Sequence, residues 1–162
     1  MLRYFVFLVV FYFLSVSLHA DTLRPLGDGN KVSDKPLYSL TLLHWKNRVF
    51  LIRDNGESNN YEDILSTESF GVSDRDVIWF IVRENDIVSN YHGNIEDNFS
   101  AYIEDKFFST LPESYEERDA IILVGKDGGV KFIDEELSLK TLFALIDGMP
   151  MRKSEMRQKK IH

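Results

Sequence analysis

Ala120-Ile121-Ile122-Leu123-Val124-Gly125-Lys126-Asp127-Gly128-Gly129-Val130-Lys131-Phe132-Ile133 consists of two short apolar runs on either side of a glycine-rich turn. Runs of this length, rich in β-branched residues, suit strands rather than helices. The turn between them is too short for a crossover, so the stretch reads as an antiparallel hairpin. Upstream lie two more runs of the same kind. Asp76-Val77-Ile78-Trp79-Phe80-Ile81-Val82 is the strongest strand in the chain, and Arg48-Val49-Phe50-Leu51-Ile52 precedes it. Both are apolar throughout, as strands covered on both faces are. The connection between those two is long enough for a right-handed crossover.

Helices fill the gaps. One is expected to start near Asn60, whose side chain can cap the free amides, with Tyr61, Ile64 and Leu65 on one face. A second opens at Asn94, and Ile95, Phe99, Tyr102, Ile103 and Phe107 recur at spacings of three and four. A third follows Ser138 as cap, buries Leu139, Leu142, Phe143 and Ile146, and ends at Gly148 and Pro150. Leu37–Trp45 fits either a short helix or an extended segment capping the sheet. The expected fold class is therefore α/β, in the order β-α-β-α-β-β-α. A four-stranded mixed sheet carries helices on both faces, which is the order of a thioredoxin core.

The chain begins with an export pattern. Arg3 precedes an apolar stretch from Tyr4 to Leu18, and small Ala20 closes it. That is the layout of a cleavable signal peptide over residues 1–20, with the cut after Ala20. The stretch is shorter than the about 20 apolar residues a membrane span needs, so no stable insertion is expected after cleavage. Residues 21–36 hold Pro25, Gly27, Gly29 and Pro36 without a hydrophobic period and read as an irregular leader. Residues 37–148 form one thioredoxin-like domain. Residues 149–162 form a C-terminal tail rich in Met and basic residues. The expected location is periplasmic or secreted.

Composition narrows the chemistry. The formal charge is −7, and one unit more negative once Arg3 leaves with the signal. An acidic surface lacks the basic face that nucleic-acid binding requires. The chain has no cysteine, so neither a structural disulfide nor a lipid-attachment thiol is available.

Several strings resemble one family in particular: Trp45-Lys46-Asn47-Arg48, Asp74-Arg75-Asp76, the hairpin from Leu123 to Lys131, and the closing run from Leu142 to Arg157. Together these look like the thioredoxin-like domain family of unknown function numbered 4174, over roughly residues 37–157. The resemblance implies a thioredoxin-like fold and an exported, mostly bacterial setting, with a similarity to the C-terminal domain of sushi-repeat-containing secreted proteins. It implies no activity. In redox-active thioredoxin-like proteins two cysteines follow the first strand at a helix N-terminus. Here that loop reads Asp54-Asn55-Gly56-Glu57-Ser58, and Arg118-Asp119-Ala120 stands where a cis-proline would precede the third strand. Thiol–disulfide exchange is excluded.

No other constellation assigns a catalytic residue, a cofactor site or a metal site. His44 and His92 have no zinc-ligand spacing. Gly125–Gly129 is followed by a strand and not a helix, so it is a turn and not a phosphate loop. Asn98-Phe99-Ser100 matches a glycosylation acceptor but falls inside the expected second helix. Two groups remain as contact positions. Asp54, Glu57 and Ser58 sit in the vestigial loop, while Met151, Arg152, Met156 and Arg157 alternate apolar and cationic character, as adaptable contact surfaces do. The first reading is a non-enzymatic module contacting a protein partner. The alternatives are a small-molecule binder or non-redox enzyme using the loop's pocket, and a structural protein with no specific partner.

Overall fold

A computed structural model describes residues 36–56, 60–84, 86–116 and 118–159. The signal segment and all of the leader but Pro36 lie outside these residues. β1 (Arg48–Arg53), β2 (Val77–Arg83), β3 (Asp86–Ser89), β4 (Ala120–Val124) and β5 (Val130–Asp134) form one sheet in the order β3-β2-β1-β4-β5. Only β1 and β2 run parallel; the other neighbours are antiparallel. The β2-β1-β4-β5 core with helices on both faces is the thioredoxin-like arrangement.

Alternation along the central strands divides two cores. Val49 and Leu51 of β1, Phe80 and Val82 of β2, and Ile122 and Val124 of β4 share one face. Leu40 and Leu43 of a 3₁₀ turn (Leu40–Leu43), α3 (Phe99–Lys106) and Phe108 cover it. Phe50, Ile52, Trp79, Ile81, Ile121 and Leu123 point the other way. They meet α1 (Tyr61–Thr67), α2 (Ser69–Asp74) and α4 (Leu139–Gly148) through Tyr61, Leu65, Val72, Leu142 and Ile146. Each such side chain, fully buried, contributes about 1.5–3 kcal/mol, so the two-sided sheet is the main source of stability.

Four expectations are corrected. The sheet has a fifth strand, because Asp86–Ser89 turns back to pair with β2. The second helix begins at Phe99 rather than Asn94. Residues 94–96 are drawn into a bridge with Leu37, whose amide donates to the Asn94 carbonyl at 2.8 Å while the Glu96 amide donates to the Leu37 carbonyl at 3.0 Å. Leu37–Trp45 accordingly is both of the expected forms in turn, extended at Leu37 and 3₁₀ from Leu40. Asn98 consequently sits exposed at the helix's N-terminal boundary and not inside it. Asn60 stands before α1 as expected, yet its side chain donates to Asp63 instead of capping the amides. Past the expected end of the domain, Pro150–Lys159 forms a further helix, α5, on which Arg152 is buried.

Candidate functional site

The end of β1 feeds directly into the vestigial loop. Asp54 extends the ladder by one bond, its amide donating to the Val82 carbonyl at 3.0 Å. This places the Asp54 side chain, buried, at the C-terminal end of the parallel pair. One carboxylate oxygen accepts from the Gly56 amide at 3.1 Å, and the other from Arg83 Nε at 2.9 Å. Gly56 has φ +90°, a conformation that suits glycine.

The segment before β4 ties this loop down. Asp119 Oδ1 accepts from the Asn55 amide at 2.9 Å, and Oδ2 accepts from the Tyr61 hydroxyl at 2.5 Å. Asn55 Nδ2 donates to the Arg118 carbonyl at 2.9 Å. The two segments that would flank a redox centre are thus joined by hydrogen bonds, with a carboxylate between them. No sulfur stands in either segment.

Beside the loop an open cleft of about 900 Å³ runs between the ends of β1 and β2 and helix α3. Arg53, Asp54, Arg83, Asp97, Ser100 and Glu104 line it among others. Its two cations are already engaged. Arg53 donates to the Tyr115 carbonyl and lies 5.1 Å from the Phe108 ring centroid, and Arg83 is held by Asp54. The Asp54 carboxylate, hydrogen-bonded to Arg83, pushes that guanidinium's pKa further up. Among the described residues no group of three or more His, Asp or Glu is placed to hold a metal ion.

Of the expected contact positions, Asp54 lines the cleft, while Glu57 and Ser58 lie outside the described residues. The four in α5 stand at the other end of the sheet, since α5 packs where β1 begins. The six-residue β1 separates the two places by roughly 20 Å at the strand rise. Nor do the four share one surface. Met151 and Arg157 are exposed and Met156 is half-buried, whereas Arg152 points inward with 3% exposure. Arg152 Nη1 donates to the Asp74 carbonyl at 2.7 Å, Nε to Asp147 at 3.2 Å, and Nη2 to the Asp74 carboxylate.

Sequence reasoning missed the groups that make this end. Arg48, 1% exposed, presents its fork to Glu155, with both bonds at 3.2 Å, and also donates to the Arg75 carbonyl at 2.9 Å. Lys126 Nζ donates to Glu155 and Asp76 at 2.8 Å each. Arg75 pairs with Asp147 at 2.5 Å and stacks 4.3 Å over Phe143. Burial alone would raise the Glu155 carboxyl. Hydrogen bonds from Lys126 and Arg48 outweigh it and hold the group below its ordinary value. Lys159 holds Asp74 down likewise, joined by Arg152 against the effect of burial. The signal was available: Arg48, Asp74-Arg75-Asp76, Lys126 and Glu155 all fall in the strings that carry the family resemblance.

The fold and this geometry define a thioredoxin-like domain without a thiol, its redox loop replaced by a carboxylate-bridged turn. The chain belongs to the family described as Domain of unknown function (DUF4174), matched over residues 39–155. Among curated proteins none matches. Among solved structures, thioredoxin peroxidase I of Plasmodium yoelii is similar to it at 18% identity, over 71% of this chain and 79% of that one, with a TM-score of 0.45. Among the described residues no helix is long and apolar enough to cross a membrane.

Proposed function

We propose that this protein is an exported module that acts by contact and not by turnover. The observation that carries the reading is the loop after β1. Where a thioredoxin-like catalyst needs an accessible nucleophile, this chain has Asp54 bonded to Gly56 and Arg83, and Asn55 bonded to the Arg118–Asp119 segment. Those groups are spent on holding the loop. Export rests on the pattern of Met1–Ala20, which supports a periplasmic or secreted location with a mature start at Asp21.

Three measurements test the reading. N-terminal sequencing of the exported protein is expected to begin at Asp21; an intact Met1 in a membrane fraction overturns the export half. Affinity capture from periplasm with the wild-type chain is then compared with a variant carrying Asp97→Lys and Glu104→Lys in the cleft wall. A partner retained by the first and lost by the second supports contact through this cleft. Saturable turnover by pure protein, abolished by Asp54→Asn, would sink the contact reading.

The cleft favours a second reading, in which its occupant is a small molecule, since about 900 Å³ lies within the range of ligand sites. A single ligand that shifts the melting temperature of the wild type, but not of the doubly substituted protein, selects this reading.

A further inference from the structure

α5 is held down by polar contacts. Arg152 is its one buried residue, and Lys153, Ser154, Arg157, Gln158 and Lys159 are exposed. Its ties to the sheet's end are the Arg152 bonds to Asp74, the Lys159 bond to Asp74 and the half-buried Glu155 carboxylate on Arg48 and Lys126. The two cations are themselves more than nine-tenths buried, at 1% and 8% exposure. Both aim polar atoms at one side chain, which belongs to a separate, weakly embedded helix. Arg48 Nε is buried without a hydrogen-bond partner, as Arg53 Nε and Arg75 Nε are elsewhere, so its guanidinium still holds an unused donor.

Buried cations are costly without an anion, and Asp76 reaches only Lys126. Arg48 depends on Glu155 for its charge partner. An anion therefore has to fill the seat in the folded chain, and Glu155 fills it here. We propose that Arg48 and Lys126 form a carboxylate receptor, that α5 fills it in cis through Glu155, and that a carboxylate of a partner protein takes the seat when α5 is displaced. This goes beyond the cleft, which lies at the other end of the sheet, and rests on the contact reading for the partner. The seat itself is tested without one.

The groups facing the Glu155 carboxylate are Arg48 from β1, Lys126 from the turn after β4, and Arg152 from α5 itself at 3.9 Å. Asp76, on Lys126, is the nearest competing anion. All three cations favour the charged form, and acetate is the minimal probe of the same chemistry.

The experiment uses the full exported chain with Glu155→Ala. Melting is followed in sodium acetate and in sodium chloride at equal ionic strength and neutral pH, and trypsin cutting at Lys153 and Arg157 is timed. Wild type is expected to melt alike in the two salts. Glu155→Ala is expected to melt lower, to recover part of the loss in acetate only, and to be cut about tenfold faster as α5 opens. A tetraglutamate peptide is expected to speed cutting of the wild type by displacing α5. Equal melting of Glu155→Ala in both salts, or unchanged cutting, overturns the receptor. Acetate rescue with no effect of the peptide confines the seat to α5 and overturns the partner half. Should Glu155→Ala not fold, Glu155→Gln is read by cutting alone, and an unchanged rate overturns the proposal.

Discussion

Removing the Asp119 carboxylate takes an acceptor from two donors at once, the Asn55 amide and the Tyr61 hydroxyl. Bonds to a charged acceptor are worth about 1.5–3 kcal/mol each, and the half-exposed site lets water recover part of that. Asp119→Ala is therefore expected to destabilise by about 1–3 kcal/mol in urea unfolding, and Asp119→Asn by less, since one acceptor oxygen remains. No change in either midpoint would mean that the loop holds itself. At the other end of the sheet the expected loss is larger. Arg48→Ala leaves Glu155 with Lys126 and the more distant Arg152 and opens a buried volume, and removing one partner of a buried pair costs roughly 3–5 kcal/mol. Arg48→Lys is expected to restore little, because a single ammonium cannot reproduce the fork that meets both oxygens and the Arg75 carbonyl. Full recovery by Lys would show that charge alone matters there.

The hairpin that decides the fold turns on Gly128, at φ +78°. A Cβ there would also run into the His44 ring. Gly128→Ala is expected to cost roughly 1–2 kcal/mol from the left-handed conformation alone, more with the clash. His44→Ala in the same background should return only the second part. A neutral Gly128→Ala would show that the turn adopts another form. The element level is also where sequence reading succeeded and stopped. β1, β2, β4 and β5 were legible because each is a short apolar run, and α4 because Ser138 caps it, its hydroxyl accepting from the Thr141 amide. β3 was not, since Asp86–Ser89 is four residues of mixed exposure on an edge and carries no alternation to read. The start of α3 moved because Leu37 claims the backbone of residues 94–96, a contact no local pattern announces. α5 was legible as contact positions in a tail but not as a helix, because it has no apolar stripe, its hold being ionic. The candidate site divides the same way. Asp54 was marked by its place after a strand, while Asp119, 64 residues from Asn55, became visible only in three dimensions.

Across the whole molecule, acid is the expected weak side. Asp74, Asp127, Asp147 and Glu155 all titrate below their ordinary values. A carboxyl whose folded pKa is depressed adds stability that is fully present above its unfolded value. That stability is lost as pH falls through the folded one. Stability from these groups should therefore be flat from neutral pH down to about 5 and decline below, the last losses coming under pH 3.8. Urea midpoints across that range check it, and a decline setting in above pH 6 would point to other groups. Reductant, in contrast, is expected to leave the melting temperature unchanged, and the protein to be inert in a disulfide-reduction assay, because the chain carries no cysteine. The sheet's outer margin has a colloidal consequence. β5 ends the strand order, so one side of its backbone is a template for another chain, and Val130 and Ile133 are exposed upon it. Three things guard it: a length of five residues, the irregular register opposite Leu123 and Val124, and Lys131 in mid-strand. Like net charge adds a fourth, at long range, which salt screens within about 8 Å at physiological strength. Lys131→Ile removes the ammonium from the margin. Light scattering from that variant is expected to rise with protein concentration and with salt, while its melting temperature falls only by the little that the exposed Lys131–Asp127 pair supplies, so most of the lysine's worth would appear in shelf life rather than in folding.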